Sequence, residues 1–147
     1  MALFGLNGQE LKKLEGDWTK VSADTALEGK KIVAFYFSAH WCPPCKQFTP
    51  ILRDFYQEVE DQGVEIIFVS SDRNASEMAG YMRESHGPWL AVPHGNPAIA
   101  RMNQEYGVEG IPCLIVLTRQ GDLVTKQGRQ DVTSLAPSKC LQKWKKY

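Results

Sequence analysis

The chain has 147 residues, a length that suits one domain able to bury a core of its own. Its 17 basic and 17 acidic side chains cancel to zero formal charge, which argues against nucleic acid or an anionic membrane surface as a partner. Four cysteines are too few for a disulfide scaffold at this size, and no apolar run reaches transmembrane length.

Residues 1–16 are mixed, with Leu6, Leu11 and Leu14 as the packing residues of a short amphipathic piece. Residues 1–14 lack a basic stretch followed by an apolar one, so no secretory signal is expected and the cytosol or nucleus is the expected location. Residues 18–21 read as a short edge strand, and Gly29-Lys30 as a turn. Residues 32–37 are uniformly apolar, as in a buried strand. After Trp41-Cys42-Pro43-Pro44-Cys45-Lys46, helical spacing places Phe48, Ile51, Leu52, Phe55, Tyr56 and Val59 on one face. Pro50 lies inside that helix, where it should kink it, and Gly63 ends it.

Residues 64–70 form a second strand, rich in β-branched side chains. Asn74 and Glu77 then have capping-box spacing, so Asn74-Ala75-Ser76 reads as a helix start rather than a glycosylation site. Met78, Tyr81 and Met82 supply the buried stripe of that helix, which Gly87-Pro88 breaks. Residues 89–92 are too short to assign. Asn96-Pro97 opens a further helix with Ile99, Met102 and Tyr106 inward, closed by Gly107. Residues 113–118 are a third strand, returning through Gln120-Gly121-Asp122 to residues 123–126. Residues 131–147 end the chain as a helix packing through Leu135, Leu141 and Trp144, with a solvated basic face at Lys139, Lys143, Lys145 and Lys146. This order predicts one domain over residues 1–147, an α/β sandwich around a mixed sheet.

The chemistry centres on Cys42 and Cys45. A Cys-x-x-Cys between a strand and a helix places the first sulfur at the helix N-terminus, where free N–H groups and the helix dipole favour a thiolate. Pro43 and Pro44 suit a first helical turn, where a missing N–H costs nothing. The same motif can be half of a zinc site, but Cys113 and Cys140 make no second close pair and His40, His86 and His94 are scattered. A purely structural disulfide closing so short a loop has little entropic benefit. The residues therefore point to dithiol–disulfide exchange, with no metal or cofactor.

The series Tyr36-Phe37-Ser38-Ala39, Trp41-Cys42-Pro43-Pro44-Cys45, Val69-Ser70-Ser71-Asp72-Arg73, Pro88-Trp89-Leu90-Ala91-Val92-Pro93, Tyr106-Gly107-Val108, Gly110-Ile111-Pro112 and Gln127-Gly128-Arg129 resembles the thioredoxin superfamily. Within it the chain is most similar to the tryparedoxin and nucleoredoxin branch, and to a nucleoredoxin-type domain above all. The resemblance implies a thioredoxin-like fold with helices on both faces of the sheet. It implies an insertion at residues 74–107, between the Cys-x-x-Cys helix and the cis-proline strand. Cys42 is then the nucleophile and Cys45 the resolving thiol. Ile111 and Pro112 correspond to the cis-proline turn that offers backbone to an incoming chain. Trp41 is read as an apolar contact beside the disulfide or as a core residue, Arg129 as a substrate contact or a surface charge, and Lys46 as a nearby or merely solvated charge.

Where minimal thioredoxins carry a buried aspartate, this chain has Tyr36, so proton handling is assigned to Tyr36 and to Asp72 as a substitute. Ser71 stands where tryparedoxins carry the tryptophan that receives their polyamine dithiol, which argues against trypanothione as the reductant. Cys113 replaces the usual threonine after the proline, as a packing residue or an oxidation target. Cys140 is open between an exposed thiol and a partly buried one.

The function expected is protein-disulfide reduction, with disulfide-containing proteins as substrates and a thiol reductant as partner. The alternative is a redox-sensitive protein-binding module with little turnover. A peroxidase or glutathione-linked enzyme ranks third, because peroxidase chemistry needs a different environment around one cysteine.

Overall fold

The computed structural model describes residues 10–15 and 17–146. Leu6 and Tyr147 lie outside the described residues. Strand β1 (Glu10–Glu15) pairs antiparallel with β2 (Asp17–Ser22), and Leu11 is fully buried. A short helix α1 (Ala23–Ala26) leads to β3 (Ile32–Ser38).

All seven residues of β3 are buried. The strand lies between β4 (Val64–Ser70), which runs parallel to it, and β6 (Cys113–Thr118), which runs antiparallel. Successive side chains of a strand point to opposite faces. Ile32, Ala34 and Tyr36 therefore enter one core, whereas Val33, Phe35 and Phe37 enter the other. Continuous apolarity without alternation is what a strand covered on both faces requires. The parallel pairing of β3 with β4 needs a crossover, supplied by α2 (Pro43–Val59). A second crossover, α3 (Ala75–Ser85), leads to β5 (Leu90–Ala91), and α4 (Ala98–Glu105) precedes β6. The hairpin β6–β7 (Leu123–Thr125) is followed by α5 (Gly128–Ser134) and α6 (Pro137–Trp144). The sheet order is β2-β1-β5-β4-β3-β6-β7. Residues of α2, α3 and α6, with Val132 of α5, fill one core, and residues of α1 and α4 fill the other. Among the described residues no helix is long and apolar enough to cross a membrane.

Local signals explain the element ends. The Asn74 side chain accepts from the Glu77 N–H at 2.8 Å. Gly63 closes the turn after α2 in the left-handed region, at φ 86°. Three sequence expectations are corrected. Ile51 is exposed, because the buried ridge of α2 steps through Phe48, Leu52, Phe55 and Val59 and leaves Ile51 beside it. The C-terminal segment is two helices rather than one, since Pro137 lacks the N–H a continuous helix needs and instead starts α6. The unassigned stretch at 89–92 contains β5, which pairs with both β4 and β1 although it has only two residues.

Gly128 marks the closest approach of α5 to the sheet. A Cβ there would lie 2.8 Å from Val116 Cγ2 and 2.9 Å from the Leu114 carbonyl oxygen. The carbonyl belongs to β6, a buried strand held between β3 and β7, so it has little room to yield. Gly128→Ala is therefore expected to destabilise the fold by about 1–3 kcal/mol, read as a lower urea midpoint at unchanged slope. A midpoint equal to that of the wild type would refute this packing account.

Candidate active site

Cys42 ends the turn after β3 and caps α2. Its backbone is extended, and its Sγ accepts from the Cys45 N–H at 3.4 Å. Pro43 and Pro44 occupy the first helical positions, so the motif presents few N–H groups, and one of them is aimed at sulfur. All four cysteines are free thiols. Cys42 is 5% exposed and Cys45 fully buried, so the first sulfur is the accessible one. Cys42 Sγ also lies 3.8 Å from the Ile111 carbonyl oxygen, and the Ile111–Pro112 bond is cis.

The turn carrying Cys42 is held from the segment just after β4. The His40 N–H donates to Asp72 Oδ1 at 2.8 Å, and the Ser70 hydroxyl donates to Asp72 Oδ2 at 2.7 Å. The Ser71 N–H donates to the Ser38 carbonyl at 2.9 Å, extending the parallel pairing past the strand end. Trp41 is half exposed, and its indole N–H donates to the Ser71 carbonyl at 3.0 Å. The core reading of Trp41 is thereby set aside: the ring forms part of the surface around Cys42.

Behind Cys45 the interior is polar but carries no carboxylate. Tyr36 Oη lies 2.6 Å from Thr49 Oγ1, and Ser38 Oγ lies 2.6 Å from Tyr81 Oη. Thr49 Oγ1 also bonds to Tyr81 Oη and donates to the Cys45 carbonyl at 2.8 Å. Burial pushes the Cys45 thiol up to about 11, reinforced by its hydrogen bond to Cys42 and opposed by one to Ser38. Burial likewise holds the Tyr36 phenol well above its ordinary range.

Trp41, Ile111 and Pro112 of the sequence-derived set stand around Cys42. Tyr36 is beneath the pair, but its hydroxyl bonds to Thr49 and, at 3.5 Å, to the Cys45 carbonyl rather than to sulfur. The Asp72 carboxylate is spent on the turn and on Ser70, and none of its hydrogen bonds reaches Cys45. Arg129 is exposed on α5, where it lines a cavity of about 650 Å³ together with Pro112, Cys113 and Lys126. Cys113 is partly buried, which raises its thiol, while Lys126 opposes the rise. Cys140 is fully buried and pushed up to about 12, which removes the exposed-thiol reading. Lys46 is solvent-exposed.

Sequence reasoning missed Ser38, Thr49, Tyr81 and His86. Two of these carried a signal: Ser38 lies two residues beyond Tyr36 on the same face of β3, and Thr49 lies one helical turn beyond Cys45. Tyr81 and His86 arrive from a distant segment and carried none.

The thioredoxin-like family model matches residues 29–123, which contain β3, the cysteine pair and Pro112. The chain belongs to the thioredoxin-like family. Nucleoredoxin of Bos taurus is 48% identical over 133 residues, which is 88% of this chain and 27% of that protein. Human nucleoredoxin is 47% identical over 111 residues, 74% of this chain and 25% of that protein. This thioredoxin-like chain thus spans about a quarter of the length of the curated nucleoredoxins it matches. The crystal structure of a thioredoxin from Wuchereria bancrofti superimposes with a TM-score of 0.84 at 49% identity, covering 95% of each chain. Tryparedoxin I from Leishmania major gives a TM-score of 0.75 at 38% identity, covering 86% of this chain and 85% of that one. The expected superfamily, its nucleoredoxin and tryparedoxin likeness and the mixed-sheet α/β fold are borne out.

His86 packs beneath the site against Tyr81 and Phe68, with ring centroids 4.3 and 4.4 Å away. The Trp89 indole N–H donates to its Nδ1 at 3.0 Å, so the ring proton sits on Nε2. Burial, aided by His40, pushes His86 down from 6.5 to about 3. As pH falls the unfolded chain takes up this proton first. The stability from neutral His86 is therefore complete above about pH 6.5 and is lost progressively toward pH 3. His86→Phe should flatten the fall of the urea midpoint between pH 6.5 and 4, relative to wild type. Equal slopes would show that His86 does not drive it.

Proposed function

We propose that the chain is a thiol–disulfide oxidoreductase that reduces disulfides in proteins, with Cys42 as nucleophile and Cys45 as resolving thiol. The observation that carries this reading is the position of Cys42 Sγ. It accepts from the N-terminus of α2 on one side, faces the Ile111 carbonyl on the other, and has a buried second thiol one turn behind.

The Cys42 thiolate attacks one sulfur of a substrate R–S–S–R′. The Cys42 Sγ–S–R bond forms and R′–S⁻ leaves. Cys45, as a thiolate, then attacks Cys42 Sγ. The Cys42–Cys45 disulfide forms and R–S⁻ leaves to be protonated. Two electrons have passed from the cysteine pair to the substrate, and an external dithiol reductant returns them. Helix N-terminal N–H groups stabilise the attacking anion. Trp41 and the Ile111-Pro112 backbone supply an apolar and a hydrogen-bonding surface for an extended substrate segment, and Arg129 lies at its edge. Because the pair must be re-reduced, this reading assigns the chain to a reducing compartment, the cytosol or nucleus.

An insulin-reduction assay with dithiothreitol tests this. Wild type should exceed the dithiothreitol background, Cys42→Ser should fall to it, and Cys45→Ser should accumulate a mixed disulfide visible by intact mass. Equal rates for all three would overturn the reductase reading and leave a redox-sensitive binding module, the alternative drawn from the sequence.

A further inference from the structure

The end of the sheet away from Cys42 carries a second concavity, and the charge lining it is of one sign. The register that sets Ile32 of β3 opposite Thr118 of β6 continues one pair further, where the Arg119 N–H donates to the Lys31 carbonyl at 3.1 Å. Lys31 and Arg119 therefore stand directly opposite one another on the same face of the sheet. Like charges placed this way, with Cβ atoms about 5 Å apart, destabilise an antiparallel pair. Among the described residues neither side chain finds a carboxylate. The Lys31 stem is seated against the turn at Gly63, where an added Cβ would lie 3.7 Å from Lys31 Cγ.

Two more lysines close the site. Lys145, at the end of α6, donates to the Gln62 carbonyl at 2.7 Å, and Lys30 donates to the Glu60 carbonyl at 3.4 Å. An ammonium has three donors, so these carbonyls hold both groups in place and leave donors over. Lys30 also lies 4.0 Å from the Glu65 carboxylate, which matches part of its charge. The charges of Lys31, Arg119 and Lys145 have no such match among the described residues. All four cations line a cavity of about 470 Å³, together with Gln120, and no described Asp or Glu lines it.

We propose that this cavity binds a small soluble anion bearing two adjacent phosphate groups. A single carboxylate brings one negative charge and leaves most of the cluster unmatched. A diphosphate brings several charges on two centres, which suits cations supplied by three separate segments. The guanidinium fork of Arg119 fits phosphate oxygens in pairs, and the lysines act as point charges around it. The occupant is compact because Glu60 and Asp61 are exposed in the turn that carries Gln62, where they would repel an extended anionic surface. Zero formal charge over the whole chain is compatible with this local excess. The cavity opens at the start of β3, and Cys42 lies beyond its end, seven strand residues away. That is roughly 20 Å, so anion binding and sulfur chemistry are independent. The inference goes beyond the reductase reading and does not rest on it.

The test is an NMR titration of the ¹⁵N-labelled full chain with sodium pyrophosphate, without magnesium and at constant ionic strength. Wild type should show saturable shifts centred on residues 29–31 and 118–120. Lys31→Gln and Arg119→Gln should each weaken binding about tenfold, the worth of a hydrogen bond between charged groups. Lys139→Gln, an exposed lysine of α6 outside the cavity, should leave the affinity unchanged. Orthophosphate should bind about tenfold more weakly than pyrophosphate. Pyrophosphate at ten times its Kd should raise the folded-to-unfolded ratio about elevenfold, read from the urea midpoint. If one of the two cavity variants does not fold, the other decides alone. Shifts without saturation, or wild-type affinity in Lys31→Gln and Arg119→Gln, would overturn the site. Equal affinity for orthophosphate would overturn its assignment to two phosphate groups. Binding to vesicles of anionic phospholipid without binding of pyrophosphate would replace the compact ion by a membrane surface. Arg119→Gln should leave insulin reduction unchanged, so a failed insulin assay with saturable binding would sink the reductase reading alone.

Discussion

The site depends on where α2 begins. Its first turn must start at the end of β3, a strand buried along its whole length, so that the capping residue is Cys42 and the group capped by its sulfur is the Cys45 N–H. Helix propensity alone does not impose that start. Two prolines that tolerate only the first turn fix it from one side. The Asp72 carboxylate, gripping the His40 N–H from just beyond β4, fixes it from the other. Cys42 is thereby placed largely by backbone, and the neighbour its sulfur faces, the Ile111 carbonyl, is backbone as well.

Interior polarity is the second organising feature. The larger core cluster contains Tyr36 and Tyr81 among aliphatic and aromatic neighbours, and every hydroxyl beneath Cys45 finds a partner. A buried polar group costs little once it is bonded and a great deal when it is not. Hydroxyls satisfy that condition for one another, because each is both donor and acceptor. A carboxylate is an acceptor only while ionised, and it brings its desolvation cost with it. Asp72 lies instead at the strand end, where backbone and hydroxyl donors meet it.

Periodicity made most of the architecture legible. Residues 32–37 and 64–70 read as strands because apolar side chains in unbroken runs must be covered on both faces, and α2 and α3 read as helices from their buried stripes. The cysteine pair and Pro112 were legible because their chemistry constrains their neighbours. Illegible were β5, whose two residues offer no period, and the break at Pro137, where a proline at the first position of a new helix looks the same as one in a continuing segment. Asp72 was nominated by its position along the chain, which does not reveal that its carboxylate bonds to the His40 N–H and the Ser70 hydroxyl. Tyr81 and His86 come from the inserted segment, and only packing of α3 against α2 and β4 brings them beneath Cys45.

The contact between Cys42 and Ile111 spans 69 residues. A ribosome making this chain from its N-terminus exposes both cysteines of the pair well before it has made the segment that faces them. Through that interval β3 also lacks its antiparallel neighbour β6, because residues 113–118 come later still. The two thiols are therefore made before the backbone that faces Cys42, and that contact forms only when long-range pairing closes the sheet.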